Sequence, residues 1–335
     1  MRLNEKLFGG RFRRGQRRHR VIRTPGVWDA VKRLVLIALL VTSAPAFAGV
    51  DEGLAAIESG DFATALRELR PAAEGGDARA QFAIGLMHES GQGVAANAAE
   101  AALWYRSAAE QGFARAELSL GNLYRQGRGV QQSDVEAAKL YRRAAENGLA
   151  GAQLNLANMY LEGRGVQQSD VEAAKWTRRA ADQGSAEAQL NLGNMYREGR
   201  GVLQNDEAAI TWYSHAAEQG HSRAMFSLGQ MYEQGRGVPR DLSEAARWYG
   251  RAAEQGLPLA QYNLGVLLER GEGVQRNPVK AMAWYVLARL RLPPGPDRDR
   301  AESAMLRVDT QLTNEGRAQA RRLAEDLLDQ LPGEK

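Results

Sequence analysis

Side chains able to do chemistry are sparse in this chain, and those present recur at one interval. The four histidines, His19, His88, His215 and His221, show neither of the helical spacings, His-x-x-x-His and His-Glu-x-x-His, that would place two imidazoles on one metal. Neither Ser-x-x-Lys nor Gly-x-Ser-x-Gly occurs, and there is no cysteine. Gly-Arg-Gly-Val is a glycine-rich loop without the lysine and serine or threonine that grip a nucleotide phosphate. Carboxylates such as Glu162 and Glu198 stand 36 residues apart and read as solvated faces, since a catalytic pair would be unique to one place. The expectation is a protein with no catalysis, no metal and no cofactor.

What remains is arranged in columns. A Gly-x-Gly-Val signature starts at Gly91, Gly127, Gly163, Gly199, Gly235 and Gly271, a step of 36 residues each time. Such self-similarity predicts a solenoid of small supersecondary units, so function belongs to residues one period apart. Tryptophans form one column at Trp104, Trp176, Trp212, Trp248 and Trp284; sugar stacking is conceivable, but their place on an apolar helix face reads as core packing. Arg128, Arg164, Arg200 and Arg236 form a second, bounded by Gln92 and Glu272. It is either a basic loop ridge for an anionic partner or, the reading preferred here, a loop residue copied with the repeat that caps helix carbonyls. The third holds side-chain amides: Asn122, Asn155, Asn158, Asn191, Asn194, Gln230 and Asn263, with Ser119 and Ser227. An amide offers donors and an acceptor to an extended peptide, which makes these the candidate partner contacts; the alternative is neutral surface filler.

Two helices must carry these columns. Taking Ala152 as reference at 100° per residue, Leu156, Met159 and Tyr160 fall on its side, whereas Gly151, Asn155, Asn158 and Glu162 cluster opposite. Mid-helix stands a small residue: Gly85, Gly121, Ala157, Gly193, Gly229 and Gly265. Glycine there costs about 1 kcal/mol of propensity, so its repetition implies a close approach. The loop glycines, such as Gly163 and Gly165, suit positive φ, and Val166 folds back between helices. Asn97, Asp134, Asp170, Asn205, Asp241 and Asn277 are expected as N-caps of the second helix, with Asp241 and Glu244 as a capping box. Ala137, Ala138, Leu140, Tyr141, Ala144 and Ala145 are its apolar face, and Gly148 ends it.

The pattern Ala-x3-Leu-Gly/Ala-x2-Tyr-x2-Gly-x-Gly-Val-x3-Asp-x3-Ala-x2-Trp-Tyr-x2-Ala-Ala-x2-Gly, six times over 77–292, resembles the Sel-one-like repeat (SLR), a branch of the tetratricopeptide-like (TPR-like) repeats. The resemblance implies an all-α fold, a right-handed superhelical solenoid of antiparallel helix pairs, whose first helices line a concave groove and which serves as a scaffold for other macromolecules. Tyr160 has His88 and Leu268 as its counterparts in the end units, Tyr141 has Thr177, and one unit carries Leu140 in place of tryptophan. Some cysteine-rich relatives are associated with β-lactam hydrolysis, and this chain lacks their framework.

Residues 1–48 read as a secretory signal peptide: an arginine-rich start, the apolar run Leu34 to Val41, and Ala46-Phe47-Ala48 as cleavage site. The run is too short to span a membrane. A start at Val31 would give a leader of ordinary shape and is the expectation; a long basic arm is the alternative. Without residues 1–48 the chain has 33 Lys and Arg against 38 Asp and Glu, a net charge of −5, which disfavours nucleic acid and anionic membranes. Residues 51–76 read as an N-terminal TPR-like helical pair, and 293–335 as C-terminal capping helices bearing Leu323, Leu327 and Leu331. The functional expectation is an exported scaffold of the periplasm, or a secreted one, that binds a protein or peptide partner. The alternatives are a factor binding a host or neighbouring-cell protein, and a glycan- or peptidoglycan-associated scaffold.

Overall fold

The computed structural model describes residues 49–331; the leader and its cleavage site lie outside these. Among the described residues there are sixteen helices and no strand. Two compact units are present, divided at Ala72. In the first, α1 (Gly49–Ser59) and α2 (Phe62–Glu74) pair closely, for a Cβ placed on Gly53 would meet Leu69 Cγ at 2.5 Å.

The second unit is a stack of helix pairs: α3 (Ala78–Ser90) with α4 (Ala98–Glu110), α5 (Ala114–Gln126) with α6 (Asp134–Glu146), α7 (Ala150–Glu162) with α8 (Asp170–Asp182), α9 (Ala186–Glu198) with α10 (Asp206–Glu218), α11 (Ser222–Gln234) with α12 (Leu242–Glu254), and α13 (Pro258–Arg270) with α14 (Pro278–Arg291). Each second helix also packs on the first helix of the following pair, so each pair is buried by its neighbours. Then α15 (Pro296–Asp309) and α16 (Asn314–Gln330) both pack on α14, placing Val308, Leu312, Ala320 and Leu331 in its core.

Local chemistry explains the regularity. Gly163 ends α7 with φ 67° and returns its amide to Met159. Gly165, with φ 66°, passes so close to the preceding pair that a Cβ would stand 2.1 Å from the Asp134 carbonyl. Val166 is half-buried against the core of the second and third pairs. Asn97, Asn205, Asp241 and Asn277 cap their helices as expected. Asp134 and Asp170 do not, because Ser133 and Ser169 accept the first-turn amides and leave each aspartate as the first helical residue. The capping box is half made: Asp241 Oδ1 accepts from the Glu244 amide at 3.0 Å, while the Glu244 carboxylate turns to Arg247.

The mid-helix glycines have one reason. A Cβ on Gly85, Gly121, Gly193, Gly229 or Gly265 would lie 2.5–2.7 Å from ring carbons of Tyr105, Tyr141, Tyr213, Tyr249 or Tyr285 on the second helix of the same pair. In the third pair the ring is absent, Thr177 takes its place, and the small residue is Ala157. The two columns change together because ring and methyl compete for one volume.

Candidate partner-binding face

The amide column lies on the face of the first helices away from the apolar stripe, where Ala152 and Leu156 are fully buried and Asn158 is exposed. Its members are not equivalent. Asn122 Oδ1 accepts the Tyr141 hydroxyl at 2.7 Å and the Asn155 amide at 3.3 Å. Asn194 Oδ1 accepts the Tyr213 hydroxyl at 2.8 Å. Where the unit has no asparagine there, the hydroxyl goes one turn further to a carboxylate: Tyr105 to Glu89, Tyr249 to Glu233 and Tyr285 to Glu269, at 2.6–2.8 Å. Ser119, Ser227 and Asn263 stand on the following first helix, near the hydroxyls of Tyr105, Tyr213 and Tyr249 in turn. Burial holds these phenols protonated, Tyr213 being pushed up to about 12, so at neutral pH they are donors. Asn122 and Asn194 therefore each tie together the two helices of their own pair, and Asn158, Asn191 and Gln230 make no side-chain hydrogen bond to another described residue.

The arginine column is engaged within the chain. Arg164 and Arg236 make two hydrogen bonds each to Asp134 and Asp206, at 2.7–3.1 Å, and Arg200 reaches Asp170 at 3.0 Å. Each pair joins a loop to the second helix of the unit before it. At the ends the aspartate is missing: Ala98 stands thirty residues before Arg128, which turns to Glu89 at 3.3 Å, and Leu242 stands thirty residues before Glu272, which lies 3.9 Å from Arg270. The helix carbonyls are capped by other residues, Gln132, Gln168, Gln204, Arg240 and Arg276, at 2.9–3.0 Å. Only Arg236, reaching the Arg197 carbonyl at 3.4 Å, adds a contact of that kind from the column. A fixed interval of 30 between aspartate and arginine was the signal of these ties.

Tryptophans 176 and 284 are buried, and Trp104, Trp212 and Trp248 are half-buried. Guanidinium groups lie over three of them, Arg179 over Trp176 and Arg251 over Trp248, both 4.6 Å from the ring centre, and Arg178 over Trp212 at 6.0 Å. Arg106, Arg142 and Arg178 donate to the hydroxyls of Tyr124, Tyr160 and Tyr196 on the next pair. Among the described residues no cluster of three metal-ligating side chains occurs, and no helix is long and apolar enough to cross a membrane.

The Sel1 repeat model matches six consecutive segments, residues 78–113, 114–149, 150–185, 186–221, 222–257 and 258–289. Among solved structures the chain is similar to a Sel1 repeat protein from Oxalobacter formigenes, at 32% identity and a TM-score of 0.64, over 74% of this chain and 98% of that one. It is also similar to c5321, a protective antigen present in uropathogenic Escherichia coli strains displaying an SLR fold, at 25% identity and a TM-score of 0.47 over 84% of each chain. No curated protein matches.

Proposed function

The chain belongs to the Sel1 repeat family, whose members mediate protein–protein interaction, and from that premise we propose that it is a non-catalytic scaffold that binds a protein or peptide partner along the amide-bearing face of its first helices. The observation that carries the reading is the inequality of that face. Tyrosine hydroxyls donate to the amide oxygens of Asn122 and Asn194, while the side chains of Asn158, Asn191 and Gln230 make no hydrogen bond to another described residue. A preformed surface of this kind binds without ordering itself first. The leader pattern of residues 1–48 supports export, with the cell envelope or the medium as the place of action.

The test is site-specific photocrosslinking in living cells from Asn158 and Asn191, with Lys139 on the exposed face of α6 as control. A discrete adduct from the two asparagines alone is expected. Equal adducts from Lys139 would remove the face from consideration. Export is read separately, by the N-terminal residue of the protein recovered outside the cytoplasm, which is Gly49 under this reading.

A further inference from the structure

We propose that Asn147 is a site of spontaneous deamidation, and that the carboxylate formed there faces the buried Glu117 and loosens the second pair. Asn147-Gly148 is the one place in the chain where glycine follows asparagine; the same position holds glutamine in the units of Gln111, Gln183, Gln219 and Gln255. Glutamine would have to close a six-membered ring on the next nitrogen, which is slow, whereas asparagine closes a five-membered one. The Gly148 nitrogen gives up its proton and attacks Asn147 Cγ. A succinimide forms as the Cγ–Nδ2 bond breaks, and the amide leaves with that proton as ammonia. One water then opens the ring at either carbonyl, giving an α-linked aspartate or a β-linked isoaspartate. Both residues are exposed, and a Cβ placed on Gly148 would meet nothing within 4 Å, so the nitrogen is uncrowded. The Gly148 N–H donates to the Ala145 carbonyl at 3.1 Å, and ring closure releases that bond. The opening it needs is confined to the last turn of α6, the part of a helix that frays first.

The other pairs show what this position does. Gln111, Gln183 and Gln219 each donate through Nε2 to a buried glutamine of their own first helix, Gln81, Gln153 and Gln189, at 2.8 Å. In the second pair both partners differ. The Asn147 amide stands beside the Glu117 carboxyl, where it pulls against the upward push of burial. Glu117 is 0% exposed and paired with Arg143 at 2.7 Å. Deamidation exchanges a donor for a second carboxylate at this spot, with the Glu146 charge already near, so one guanidinium must serve them all. Arg143 also holds the Ala109 carbonyl of the first pair at 2.6 Å, and whatever draws it away weakens that contact too. The β-linked product adds a backbone atom at the helix end as well.

The test ages the folded full chain in mildly alkaline buffer beside a sample unfolded in guanidinium, which serves as the clock. Peptide mapping by mass spectrometry, with fragmentation that separates isoaspartate from aspartate, reads both. The expected result is that Asn147 converts in the folded chain before any other asparagine, and that Asn147→Gln abolishes the conversion. Asn147→Asp supplies the α-linked product directly. It should melt about 2–4 °C below the wild type at neutral pH, with faster amide exchange in α5 and α6. In a Glu117→Gln background the same substitution should have a smaller effect, because the second carboxylate then faces a neutral amide. Asn147 intact in the folded chain after the unfolded sample has converted would overturn the site. A fall in melting temperature equal in both backgrounds, or none in either, would overturn its link to Glu117.

Discussion

At the scale of single residues, Glu117 marks how one substitution redirects its surroundings. Gln81, Gln153, Gln189 and Gln261 occupy the same place in other pairs, each giving its Nε2 to a carbonyl eight residues earlier at 3.0–3.3 Å. A carboxylate cannot donate, and Arg143 replaces that bond by reaching the Ala109 carbonyl at 2.6 Å and Glu117 at 2.7 Å. Burial pushes the Glu117 carboxyl up, against the downward pull of Arg143. Because the folded value is above the unfolded one, the folded state binds more protons between the two, and stability falls as pH rises through that window. Glu117→Gln removes the buried charge and restores the donor. It should stabilise the chain by about 1 kcal/mol at pH 7 and by less at pH 4, read from melting temperatures at both. A gain equal at both values would mean that charge burial is not the cause.

Among elements, the coupling of a glycine on a first helix to a tyrosine on a second makes a pair fit. Gly193→Ala places a methyl against the Tyr213 ring at 2.6 Å and should cost about 1–3 kcal/mol. Adding Tyr213→Thr should recover part of that loss, since Ala157 and Thr177 already coexist, and a double-mutant cycle by urea unfolding measures it. Strict additivity would count against the coupling. The loop is less forgiving: Gly201→Ala demands φ 68° of a residue whose Cβ would stand 1.9 Å from the Asp170 carbonyl, and little of the chain should fold on expression. Much of this was legible beforehand. Glycine spacing located the loops, and apolar periodicity gave the buried faces of α6 and α7. The N-caps slipped by one at Ser133 and Ser169, because serine and aspartate cap equally well and only geometry chooses. The amides of Asn122 and Asn158 look alike in sequence. Their difference lies in a residue 19 positions later, tyrosine in one unit and threonine in the other, which matters only once the helices are packed.

Over the whole second unit, stability is a sum of pairs and interfaces, and its end needs a seal. Here α15 and α16 cover α14, and Arg307 binds Glu269 through two hydrogen bonds of 2.7 and 2.8 Å beside the Tyr285 hydroxyl. The Arg307 guanidinium, with help from Tyr285, holds the Glu269 carboxyl below its usual range despite burial. A lowered folded value means that this contribution is present above the ordinary carboxylate pKa and is lost as pH falls through the folded one, so acid loosens the seal first. Arg307→Met leaves Glu269, 9% exposed, without its cation. Because the guanidinium itself is half in water, the cost is about 1–2 kcal/mol, below that of a fully buried pair. In a globally cooperative protein that loss would speed amide exchange everywhere. In a stack whose pairs touch only their neighbours it should be local: exchange rises in α13 to α16 at neutral pH, while the amides of α3 to α6, in the first two of the six pairs, keep their wild-type rates. Hydrogen exchange read by mass spectrometry separates the two. Equal acceleration at both ends would show that the pairs unfold as one unit, and that a partner bound at the third pair would be felt along the entire stack.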